Sequence, residues 1–157
     1  MMAVEKQMLR QVMGHFATGV TIVTLRNDRG EPIGLTANAL TSVSLEPPLI
    51  LLCVDKNAQS YPYFKRNTRF AVNILSQEQE DLSRRFAKSE PAKFDALPHR
   101  TGMTGSPLLE GTIAYLECEV VEVYPGGDHT IFVAGVKASG MGEGLPLIFY
   151  KGAYKRL

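Results

Sequence analysis

Residues 111–140 hold two long strand-forming runs, "GTIAYLECEVVEVY" (111–124) and "HTIFVAGVKASG" (129–140), separated by little more than Gly126, Gly127 and Asp128. Both runs are rich in β-branched residues. The Gly-Gly-Asp connection supplies the unusual dihedrals of a tight turn, so the pair reads as one long hairpin. Further strand-like runs surround it: "VTIVTL" (20–25), "LILLCVD" (49–55), "RFAVNIL" (69–75) and "PLIFYKGAY" (146–154), with "NDRGEP" (27–32) as the turn after the first. Only short helices intervene. Val4, Met8, Val12 and Phe16 recur at steps of four beside Leu9 and Met13, predicting an amphipathic helix over 4–17 that ends near Gly19. Ser60, with Pro62 in the following turn, predicts a second, and Ser76 with Gln79 at capping-box spacing predicts a third over 76–87. The polar residues 88–106 predict a loop. With roughly six or seven strands and no regular βαβ alternation, the expected class is mainly β, an antiparallel barrel with peripheral helices, in a single domain over 1–157.

Composition excludes several functions. The net charge is +1, with no basic block or acidic tail, so there is no electrostatic case for nucleic acid or an anionic membrane. A small phosphate-bearing ligand needs only one or two local cations and remains open. The longest apolar run, "PPLILLCV" (47–54), is far shorter than a bilayer span, and the N-terminal residues are unlike a signal peptide. The two cysteines, Cys53 and Cys118, sit in apolar runs without CxxC spacing. They read as core residues in a reducing cytoplasm, with no metal expected. No GxxxxGK[ST], HExxH or GxSxG is present, and "GMGEGL" (140–145) lacks the last glycine of a dinucleotide fingerprint and leads into a strand.

Three segments carry candidate chemistry. "GLTANALTSVSL" (34–45) places Thr36, Asn38, Thr41, Ser42 and Ser44 close together. Those groups either bond local backbone at a turn and edge strand, or form a polar wall able to meet a flat heteroaromatic ring. "CVDKNAQSYP" (53–62) brings a buried strand out at Asp55 and Lys56, with Ser60 beyond. It is either a solvated loop or a phosphate site built from helix-start amides and the Lys56 charge. His129 follows Gly127 and Asp128 and is either an ordinary strand-entry residue or a group that meets substrate. His15 and His99 receive no role.

Taken together these pieces resemble the flavin reductase domain family, the short reductase components of two-component flavin-dependent monooxygenases. The resemblance runs in order through "FATGVTIVT" (16–24), residues 34–56, "RFAVNILSQEQEDLSRRFA" (69–87), "PLLEG" (107–111), "GGDHTIFVAGV" (126–136) and "PLIFYKGAY" (146–154). It implies a split β-barrel, usually a homodimer, that binds FMN or FAD and uses NADH or NADPH. It further implies a separate flavin-dependent oxygenase that receives the reduced flavin. Carried onto this chain, the resemblance implies isoalloxazine contacts at Thr36, Ala37 and Asn38, with Thr41 and Ser42 following. Ribityl-phosphate contacts fall at Cys53, Val54, Asp55, Lys56 and Ser60, and further flavin contacts at Arg85 and Phe86. Gly127, Asp128, His129 and Tyr154 fall on the nicotinamide side, with His129 facing the substrate as the expected catalytic residue. Two alternatives stand beside this reading: a split-barrel electron carrier with tightly bound FMN, and a non-catalytic flavin- or haem-binding module.

Overall fold

A computed structural model of the chain describes residues 3–157. Helix α1 (Lys6–Gly14) precedes strands β1 (Thr18–Gly19), β2 (Thr21–Arg26), β3 (Pro32–Ala37), β4 (Leu40–Leu45) and β5 (Pro48–Asp55). A 3₁₀ turn (Tyr61–Tyr63), β6 (Arg69–Ile74), α2 (Glu80–Phe86), β7 (His99–Thr101) and β8 (Pro107–Leu109) follow. The long β9 (Ala114–Gly126), β10 (His129–Met141), β11 (Ile148–Tyr150) and β12 (Ala153–Lys155) complete the chain. Seven strands form one antiparallel sheet in the order β3-β2-β6-β9-β10-β5-β4. Its two ends do not pair, which gives the split-barrel architecture expected from the sequence. A smaller sheet, β1-β11-β12, and the pair β7-β8 flank it.

The hairpin β9-β10 is the spine of the sheet. His129 pairs with Gly126 across the turn, and Gly127 takes the left-handed φ of 72° that a glycine adopts without strain. Two register shifts, between Val133 and Ala134 and between Val136 and Ala138, mark bulges of the kind that bend a strand and let the sheet curl.

Strand β2 is buried on both faces because it divides two cores. Val23 and Leu25 enter the barrel interior with Leu52, Val54, Phe64, Phe70 and Phe132. Ile22 joins a second cluster with Leu75, Phe86, Leu109 and Leu147, which seats α2. Each fully buried side chain of this size contributes about 1.5–3 kcal/mol. The buried polar groups between the layers are paired: Asn73 Nδ2 donates to Ile22 O, and Asn73 Oδ1 accepts from the Leu109 amide at 2.9 Å.

Several sequence expectations are corrected here. The first helix ends at Gly14, not near Gly19, and buries none of its residues. The segment after Ser60 is a single 3₁₀ turn, too short to carry a useful helix dipole. The third helix starts at Glu80, because the capping-box partners close a turn ahead of it, the Ser76 amide donating to Gln79 Oε1 at 2.9 Å. The loop 88–106 contains β7. His99 is half-buried, edge-on to Phe94. No described helix is long and apolar enough to cross a membrane.

Candidate active site

Between the ends of β3 and β5 the sheet leaves a cleft of about 210 Å³. Period-two alternation builds one wall: along β5, Leu52 and Val54 point into the core while Cys53 and Asp55 are more exposed and border the cleft. Thr36, Ala37 and Asn38 supply the facing wall from β3 and its exit, and Phe86 closes the side from the end of α2. His129 reaches the same cleft because β10 pairs with β5 in a register that sets His129 opposite Asp55. Asn38 of the hydroxyl-rich segment and His129 at the end of the Gly-Asp-His turn, about 90 residues apart in sequence, therefore border one cavity.

The wall is rich in unpaired main-chain donors. Among the described residues, no acceptor pairs with the backbone N–H of Asn38, Ala39, Gln59 or Ser60, and all four residues border the cleft. Backbone donors left free at a concave surface fit the carbonyl and ring-nitrogen acceptors of an isoalloxazine. Thr36 does not compete for this role with its hydroxyl, which donates to Ser83 O at 2.6 Å and fixes β3 against α2.

At the rim, His129 Nδ1 donates to Asp128 Oδ1 at 2.7 Å. The carboxylate accepts only, so it holds the proton on Nδ1 and leaves Nε2 of the neutral ring as an acceptor. This hydrogen bond, and secondarily the positive charge the ring carries whenever it is protonated, holds the Asp128 carboxyl below its ordinary value. Burial raises the Cys53 thiol, so it lines the cleft in its neutral form.

Of the other predicted residues, Ser60 is buried at the cleft wall, its hydroxyl donating to Gly34 O at 3.4 Å. Val54 is 1% exposed in the barrel core and offers a ligand no side chain. Lys56 is exposed and outside the cleft lining, its amide donating to Asp128 O at 3.0 Å, so its segment supports the turn that carries His129. Arg85 lies outside the lining too, donating from a guanidinium nitrogen to Asp95 O at 2.7 Å and tying down the 88–95 loop. Thr41 borders a neighbouring apolar cavity, and Ser42 is exposed on β4. Gly127 shapes the turn without lining the cleft. Tyr154 stands behind the wall, its hydroxyl 2.7 Å from Ser83 Oγ with Arg84 stacked over its ring.

Sequence reasoning missed Lys93. It borders the cleft and donates to Phe86 O at 3.2 Å and Gly34 O at 3.5 Å. Its only local signal is the apolar pair Phe94 and Leu97, which pack on the second core and hold an otherwise polar loop down.

Residues 13–157 match the flavin reductase like domain. The reductase subunit HsaB of a flavin-dependent monooxygenase from Mycobacterium tuberculosis is 37% identical, over 96% of this chain and 82% of that protein. The FMN reductase (NADH) SmoA of Agrobacterium fabrum is 42% identical, over 94% of this chain and 83% of that protein. Among solved structures, the NADH:FAD oxidoreductase SgcE6 of Streptomyces globisporus superposes with a TM-score of 0.90 at 39% identity, covering 100% of this chain and 97% of that one. Sequence, sheet topology and superposition agree, and the chain belongs to the flavin reductase like domain family.

Proposed function

We propose that this chain is an NAD(P)H-dependent flavin reductase that supplies reduced FMN or FAD to a separate monooxygenase, acting as a single domain over 1–157. The observation that carries the reading is the shared cleft, bordered both by Asn38 and Ala39, whose amides have no acceptor among the described residues, and by His129. Bound flavin supplies the hydride-accepting ring. The protein supplies position and electrostatics. The Asn38 and Ala39 amides would hold a polar ring edge and oppose the negative charge that accumulates there on reduction. His129 Nε2, its tautomer set by Asp128, would accept from the carboxamide NH₂ of the nicotinamide and orient it without moving a proton. Ala37 gives apolar surface against the ring face, and the buried Phe86 backs the wall from the second core.

A homodimer completes the reading. On α1 and the residues beside it Val4, Met8, Val12 and Phe16 are 70%, 54%, 57% and 73% exposed, a contiguous apolar face suited to a second copy. The functional test is to mix the protein with NADH and excess free FMN or FAD and follow the nicotinamide absorbance. Many turnovers per protein support a reductase using diffusible flavin. Bleaching of a single bound equivalent would point to an electron carrier, and no oxidation would reject the proposal.

A further inference from the structure

The 210 Å³ cleft is smaller than the roughly 300–1,000 Å³ of ordinary small-molecule sites, so a flavin must extend beyond it. Two cavities adjoin it. One, of about 630 Å³, shares Asn38, Ala39 and Cys53 with the cleft and is walled by Met13, Phe16, Leu40 and Phe149, with Arg10 on exposed α1 as its one cation. The other, of about 410 Å³, shares Gln59, Ser60 and Lys93 and lies between residues 27–34 and the 90–95 loop. The central cleft is thus the middle of a groove with an apolar end and a polar end.

Lys93 stands at the polar junction and is the only cation that borders both spaces. It is half-buried and makes no ion pair among the described residues, while its two carbonyl contacts leave one of three ammonium protons unassigned. Burial lowers its pKa, opposed in part by the field of Glu90. A charge held this way, against desolvation and with Glu90 near but not paired to it, is matched to an anion from outside the chain. The cavity beyond it has different chemistry. Tyr63 and Phe94 give it aromatic walls, while Glu31, Glu90 and Asp95 disfavour a phosphate and can accept from hydroxyls or an exocyclic amine.

Resting on the flavin-reductase reading, we infer that Lys93 receives the phosphate end of the flavin and that the aromatic cavity beyond it takes the adenosine half of FAD, making FAD preferred over FMN. The relatives do not settle this choice, since one is named for FMN and another for FAD.

Equilibrium quenching of flavin fluorescence with riboflavin, FMN and FAD tests the inference without turnover. The parent should bind FAD about tenfold tighter than FMN. Lys93→Gln keeps a donor for the two carbonyls and removes the charge. It should weaken FMN and FAD about tenfold while riboflavin stays within about twofold. Pro91→Trp, on the exposed loop bordering only the distal cavity, should abolish the FAD advantage and leave FMN unchanged. Equal FMN and FAD affinities in the parent, or a Lys93→Gln loss as large for riboflavin as for FMN, would overturn the inference while the reductase reading stands. No quenching of any flavin by the parent would overturn both.

Discussion

Replacing His129 by Ala isolates the proposed nicotinamide side of the site. The side chain is 39% exposed and its one polar partner, Asp128, is 90% exposed, so removing the ring breaks a single solvent-screened contact. Folding stability should move by less than about 0.5 kcal/mol, and the thermal midpoint should not change. The loss falls on the ligand. A neutral hydrogen bond contributes about 0.5–1.5 kcal/mol, or roughly 2- to 12-fold in affinity. The Asp128 carboxylate polarises the ring and favours the upper part of that range. The KM for NADH at saturating flavin should therefore rise about tenfold, with flavin affinity by fluorescence quenching within about twofold. Asp128→Asn keeps an acceptor for Nδ1–H without the charge and should raise KM about two- to threefold. An unchanged KM in His129→Ala would refute the orienting role. A proportional fall in flavin affinity would place His129 on the flavin instead.

Other consequences follow from residues outside the reacting groups. A Cβ at Gly102 would overlap the buried Glu117 carboxylate, which accepts from the Met103 and Thr104 amides and the Thr104 hydroxyl, so Gly102→Ala should cost about 1–3 kcal/mol in denaturant unfolding. Cys53 should alkylate slowly in the free protein and more slowly with flavin bound, while Cys118, 0% exposed, should label only on unfolding. Burial, with the Glu117 charge adding to it, pushes the Cys118 thiol up to about 12, so the stability contributed by its protonated form is complete below the ordinary thiol value and lost as pH rises towards 12. Cys118→Ala should flatten that alkaline limb in pH-dependent denaturation. Met8→Glu with Val12→Glu on α1 should convert the proposed dimer to a monomer in sedimentation, and an unchanged mass would rule that face out as an interface.

The legible parts of the fold were those with strong local periodicity. The β9-β10 hairpin is legible in paired β-branched runs about a glycine turn: Ala114–Gly126 begins three residues later and ends two later than the predicted 111–124, and His129–Met141 extends the predicted 129–140 by one. Strand β7 has three residues, two of them exposed, and shows no apolar alternation, so its sequence reads as loop. Among the site residues, the segment around Thr36 and the His129 turn drew attention because each breaks a simple strand pattern. Alternation along β5 turns the Val54 side chain into the core, away from Cys53 and Asp55 at the cleft. Lys93 was invisible for another reason. Its position depends on Phe86 and Gly34, brought together only when α2 docks on β3.

Amide hydrogen exchange read residue by residue, with and without saturating flavin, tests the central claim most directly. The N–H groups of Asn38, Ala39, Gln59 and Ser60 have no acceptor among the described residues and should exchange rapidly in the free chain. On flavin binding, protection should appear at Asn38 and Ala39, which would hold the ring, and at Gln59 and Ser60, which would lie beside the phosphate end. Flavin-dependent protection elsewhere, with these four amides still exchanging freely, would contradict the placement of the site in this cleft.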